Sequence, residues 1–212
     1  MPPRNPEETR YRLQEAAERE FARYGFAGAR VARIARKART NQRMVYHYFG
    51  GKQGLYEAVR RHASSEVADR LLTALASKVE DDPAAAYADT LRAYFEAALS
   101  HPTWARLLVH EALDPSPDVM NAARAAGQDF AAAFEPAIRR AQAAGHLRND
   151  LTPFIGLALA SMASVIYPLL WREQWVRAAR LLGVEVAEPD SAFVDNMLSV
   201  ILDGVRSREE SR

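Results

Sequence analysis

The stretch "VARIARKARTNQRMVYHYFGGKQGLY", Val31 to Tyr56, decides how the chain is read. Val31, Ile34, Ala35 and Ala38 recur at helical spacing and leave an arginine-rich opposite face, which predicts a short amphipathic helix. Arg39-Thr40-Asn41 interrupts that pattern. It restarts in "QRMVYHYF", where Val45, Tyr48 and Phe49 fall inward and Asn41 stands where a side-chain oxygen caps exposed N–H groups. Two short helices joined by a tight turn make a helix-turn-helix over about residues 30–49. Burying Val45 and Phe49 turns Arg43, Tyr46 and His47 to the other side, with Gln42 at the N-terminal end.

That outward set suits a DNA duplex. In the major groove guanine offers two acceptors to an arginine, and adenine suits a glutamine. The Tyr46 hydroxyl, Lys52, Arg30 and Arg33 fit phosphates, which fix position without reading sequence. Backbone N–H groups near Gly51 to Gln53 offer a further phosphate site. Charge distribution agrees. The net charge is only +1, yet residues 1–60 carry 13 Lys or Arg against 6 Asp or Glu, and the remainder carries 15 against 21. No acidic residue lies between Glu20 and Glu57, a gap that holds eight Lys or Arg residues. A basic head on an acidic body points to a polyanion.

Upstream, Asn5 is placed to cap a helix with Pro6 at its first position and Glu8 three residues past the cap. Leu13, Ala16, Ala17, Phe21 and Tyr24 mark its inner face until Gly25 ends it after about five turns. Downstream, Leu55, Val59, Val67, Leu71 and Leu75 predict a long fourth helix ending near "EDDP". Asp82-Pro83 opens a fifth and "TWARLLVHEAL" forms a sixth. An alanine-rich seventh is expected to kink or divide at Gly127 and Pro136. "TPFIGLALASMASVIYPLLW" and "SAFVDNMLSVILDGV" give two apolar helices, separated by an irregular stretch around Leu181 to Pro189. No period-2 strand is present, so the expected class is all-α.

These residues together resemble the DNA-binding domain of TetR-family transcriptional regulators. The resemblance rests on Gly25-Phe26, Ile34, Ala35, Ala38, Tyr46, Tyr48, Phe49, Lys52 and Leu55, and covers about residues 6–66. It implies that Tyr46 and Lys52 sit at phosphate-binding positions and Gln42, Arg43 and His47 at groove-facing ones. The chain departs from the family in the turn, where Arg39-Thr40-Asn41 replaces Gly-Val-Ser, and at the start of the second helix, where Ala29-Arg30 replaces a Thr or Ser pair. A positive φ at Arg39 would cost on the order of 1 kcal/mol. The resemblance also implies that residues 67–212 form a helical effector-binding and dimerisation domain. A small-molecule cavity is then expected among Tyr94, Phe95, Trp104, Leu108, Glu111, Phe130, Phe134, Met162, Tyr167 and Trp171. A homodimer seam is expected at Gly156, Ala160 and Ala163, and at Val194, Met197, Leu198, Ile201, Leu202 and Val205. Two-fold symmetry predicts a palindromic operator, and family habit favours a repressor released by its effector.

Competing classes are constrained. Leu151 to Trp171 is free of charge for 21 residues, but its small and polar residues argue against membrane insertion. "HEALD", His110 to Asp114, approaches a zinc signature without its final histidine, so a helical enzyme with a metal site near His110 and Glu111 is an unfavoured alternative. "GFAG" lacks the strands that an RNA-binding KH module needs. With no cysteine there are no disulfides or thiolate metal sites; no cofactor is expected. No signal peptide is expected either, and the cytoplasm is the expected location. A DNA-binding dimer regulated by a protein partner is the other alternative.

Overall fold

The computed structural model describes residues 6–76, 83–150, 152, 155–185 and 188–205, and no strand occurs among them. The helices are α1 (Pro6–Gly28), α2 (Val31–Lys37), α3 (Gln42–Phe49), α4 (Lys52–Ala76), α5 (Pro83–Ser100), α6 (Pro102–Leu113) and α7 (Pro117–Ala143). There follow α8 (Ile155–Ile166), a π-helical turn (Tyr167–Trp171), α9 (Arg172–Leu181) and α10 (Pro189–Val205). The chain divides into two compact units, one of Met1–Glu66 with Thr103–Gln128, the other of Val67–Pro102 with Asp129–Arg212.

In the first unit Leu13, Ala16, Ala17 and Phe21 of α1 pack with Ile34, Ala38, Val45, Leu55, Tyr56 and Val59. Their 3- and 4-residue spacing puts them on single helix faces. Leu107 of α6 and Val119 and Ala122 of α7 complete the same core, so this unit is more than the first four helices. Gly25 breaks α1 with φ 66° and ψ 178°. The break turns Phe26 back onto Phe21 and Tyr56, with ring centroids 6.2 and 5.1 Å apart. Tyr24, expected inward, is exposed instead. Its ring lies 4.3 Å from the Arg33 guanidinium and 5.3 Å from that of Arg23, an aromatic face serving as a platform for cations. Where α4 begins, a Cβ on Gly54 would lie 1.9 Å from the Phe49 carbonyl oxygen. Only glycine lets the two backbones approach that closely.

In the second unit Tyr87, Leu91 and Phe95 of α5 pack with Phe134, Ile138 and Ala141 of α7 and with Val194, Leu198, Ile201 and Val205 of α10. The sequence places these four α10 residues at a homodimer seam. Val194, Leu198, Ile201 and Val205 are buried within the chain itself, because the 3–4 stripe of α10 is the face its own neighbours require. α7 does not divide at Gly127 or Pro136 but is one helix with Pro136 inside it. A proline inside a helix removes one ladder hydrogen bond.

α8 gives way at Ile166 to the π-helical turn, closed by the Arg172 N–H donating to the Tyr167 carbonyl. Pro168 falls inside this turn and can donate no N–H of its own. Tyr167 stacks on Phe193 at 3.7 Å, and its hydroxyl donates to Asp190, which also receives Arg172. α9 forms a helix that the sequence pattern did not separate, since none of its residues is fully buried. Among the described residues no helix is long and apolar enough to cross a membrane. The expected cap at Asn5 and most of the acidic turn near residue 82 lie outside the described residues, as do the side chains of Phe130, Gly156 and Ala160.

Candidate nucleic-acid interface

α3 is built to present one face. Asn41 caps it, its side chain accepting from the Met44 N–H at 3.3 Å. Gly50 ends it in the left-handed conformation at φ 73°. Val45 is fully buried, while Met44, Tyr48 and Phe49 pack partly buried against the core of the first unit. Gln42, Arg43, Tyr46 and His47 are exposed, with Tyr46 at 60 %. The turn before α3 keeps a left-handed residue at Arg39, φ 53°, so the glycine-like geometry persists without the glycine.

The cations around α3 do not share one environment. Arg30 exposes its side chain, and its backbone N–H donates to the Glu20 carboxylate at 3.4 Å. Arg33 turns away from the exposed face. Its Nε donates to Glu20 Oε1, and its Nη2 donates to the Gly28 carbonyl at 3.0 Å. Lys37 Nζ donates to Glu20 Oε2 at 3.0 Å. Glu20 is itself fully buried. Burial alone would push its carboxyl up, but hydrogen bonds from Lys37, Arg33 and the Arg30 N–H hold it below the usual carboxylate range. Lys52 Nζ lies 4.8 Å from the Phe26 ring and donates to the Ala27 carbonyl at 3.3 Å, and partial burial lowers its pKa.

A second buried ion pair stands deeper in the unit. Arg60 of α4 donates through Nε and Nη2 to the two oxygens of Glu111 of α6, and the Tyr56 hydroxyl donates to Glu111 at 3.3 Å. Burial raises the Glu111 pKa, with Arg60 and Tyr56 opposing. Burial and the adjacent Glu111 likewise push the Tyr56 phenol well above its usual value. His110 Nε2 lies 3.2 Å from the Ala22 carbonyl. Both groups of the imagined His110/Glu111 metal site are therefore engaged within the fold. Among the described residues no cluster of three His, Cys, Asp or Glu could hold a metal.

The residues expected to line an effector cavity fall in both units. Trp104, Leu108 and Glu111 belong to the first unit, whereas Tyr94, Phe95 and Phe134 are buried in the second. Met162, Tyr167 and Trp171 instead border an apolar groove of about 620 Å3 between α8 and α10, shared with Leu159, Ile166, Phe193, Met197 and Val200. Met162 and Val200 are 61 % and 71 % exposed there.

Residues 13–59 match the profile of "Bacterial regulatory proteins, tetR family". The repressor NicS of Pseudomonas putida is 30 % identical over 164 residues, covering 75 % of this chain and 74 % of that protein. The chain belongs to the TetR family. The repressor SCO4008 of Streptomyces coelicolor is 38 % identical over 114 residues, a match that spans 54 % of this chain and about half, 55 %, of that protein. A candidate transcriptional regulator of known structure from S. coelicolor, SCO4942, superposes with a TM-score of 0.68 at 28 % identity, over 93 % of this chain and 98 % of its own. A TetR-family structure from Shewanella sp. PV-4, at 20 % identity and a TM-score of 0.71 over 94 % of this chain and 99 % of its own, shares the fold. Sequence reasoning passed over Glu20 and Arg60. The available signal was Glu20 as the last acid before a long basic run.

Proposed function

We propose that this TetR-family protein is a homodimeric repressor that inserts α3 into the major groove of a palindromic operator and leaves it when a small effector binds. The observation that carries the reading is the division of α3 into a buried Val45 side and an exposed Gln42, Arg43, Tyr46 and His47 side. Gln42, Arg43 and His47 read base edges, while Tyr46, Lys52, Arg30 and the N-terminal amides of α4 hold phosphates. NicS and SCO4008, both repressors by name, support the direction of regulation. The effector rests on family membership alone.

The dimer takes its support from the α8/α10 groove, whose exposed Leu159, Met162, Ile166 and Val200 form an apolar strip suited to a second copy. Met197, Leu202 and Ala163, expected at the seam, are partly buried along these helices. Selection of bound sequences from a random duplex pool tests the reading. The expected product is an inverted repeat whose half-site preference changes in Arg43→Ala. Recovery of no common sequence, or an unchanged preference in that variant, would refute it.

A further inference from the structure

Residues Arg33 and Lys37 lie four apart on α2, and both heads are directed at the carboxylate of Glu20 on α1. Each oxygen of that carboxylate holds one cation, and the Arg30 N–H adds a third donor. The Arg33 guanidinium is committed three ways, to Glu20, to the Gly28 carbonyl and to the face of Tyr24. A carboxylate with no exposed surface requires such partners, since an unpaired buried charge is strongly unfavourable. Arg30, Arg36, Arg39 and Arg43 differ. Their side chains are exposed, as is that of Lys37 at 42 %, but among the described residues no acidic side chain pairs with them. The basic run therefore holds two populations of cation that the sequence does not distinguish.

We propose that Glu20 is a positioning residue that withholds Arg33 and Lys37 from the DNA backbone and uses them to fix α2 against α1. The proposal rests on the DNA-binding reading above and explains why Arg33, which the sequence alone places among the phosphate contacts, does not belong with them. The clamp keeps a net positive charge and so still attracts a polyanion at long range. The Arg33 head is engaged through Nε and Nη2 and the Lys37 ammonium is drawn to Glu20 through one N–H, and counterion release on binding comes from the exposed arginines and Lys52.

The test is the salt dependence of binding to a labelled duplex carrying the selected operator, measured from about 50 to about 200 mM KCl. Each phosphate contact contributes about 0.9 to the slope of log affinity against log salt. Lys37→Ala is expected to keep the wild-type slope, whereas Arg30→Ala flattens it by about 0.9. Glu20→Gln frees one or both cations and steepens it by about 0.9 to 1.8, an extra threefold to twelvefold or so loss of affinity across that salt range. Flattening by Lys37→Ala to the same degree as by Arg30→Ala overturns the proposal, as does a folded Glu20→Gln protein with an unaltered slope. Should Glu20→Gln not fold, the Lys37→Ala arm decides alone. Wild-type protein that binds no duplex in a salt-dependent way refutes the functional reading itself. A wild type with a normal slope, but with Lys37 contributing to it, refutes only the clamp.

Discussion

Removing the Glu111 carboxylate should be among the most damaging single changes in the first unit. Its side chain and that of Arg60 are 8 % and 4 % exposed. Without Glu111, the Arg60 guanidinium keeps only Ser64 Oγ, at 3.0 Å, as a side-chain partner among the described residues. An exposed pair would be worth about 0 to 1 kcal/mol, but breaking a buried one by deleting a single partner costs about 3 to 5 kcal/mol. Glu111→Ala is expected to lose that amount, out of a total that is about 5 to 15 kcal/mol for a typical domain. Replacing both members, Arg60→Met with Glu111→Leu, removes the stranded charge and is expected to cost no more than about 1 kcal/mol. Trp104, buried on α6, reports on this unit once Trp171 and Trp175 are changed to Phe. At a slope of about 2 kcal/mol per molar urea, the single variant's midpoint should fall by about 2 M. A loss under about 1 kcal/mol for Glu111→Ala, or a double variant as unstable as the single one, would refute the assignment of a charge dependent on its partner.

Two further expectations follow from the same unit. Gly54→Ala should destabilise by about 1 to 3 kcal/mol despite alanine's higher helix propensity, because its methyl meets the Phe49 carbonyl. Gly127→Ala, in α7 with open space around it, should stabilise by about 1 kcal/mol; urea titration of the pair shows whether the signs are opposite. The depressed pKa of Glu20 gives the unit a stabilising contribution that is complete above the usual carboxylate value of about 4.5 and lost as pH falls through the lower folded value. Trp104-monitored melting between about pH 3 and pH 6 should therefore show an acid limb that Glu20→Gln flattens; an unchanged limb would argue against the ionised clamp.

The helix-turn-helix was legible because its residues obey local rules. Val45, Tyr48 and Phe49 keep a helical period, Asn41 supplies the cap, and burying one side of an eight-residue helix leaves Arg43, Tyr46 and His47 no other place. Periodicity says which residues face inward but not what they face. The apolar stripe of α10 was therefore legible as a stripe, while its partner, the unit's own α5 and α7, was not. Which core a residue joins is likewise not written in its position along the chain. Aromatic residues from Tyr94 to Trp171 share a region of sequence, yet the fold assigns Trp104 and Glu111 to one unit and Phe95 and Phe134 to the other. Charge was the least legible quantity. Arg33 and Arg30 look alike in a basic run, and only the approach of Glu20 from α1 separates them.

The discontinuity of the first unit governs how the protein can be cut and recombined. A fragment ending at residue 66 would lack Leu107, Val119 and Ala122, leaving the backs of α1 and α4 wet and Arg60 without its counterion. A chimera that borrows another regulator's operator preference must accordingly graft α6 and the opening of α7 together with the first four helices, or confine the exchange to the outer face of α3.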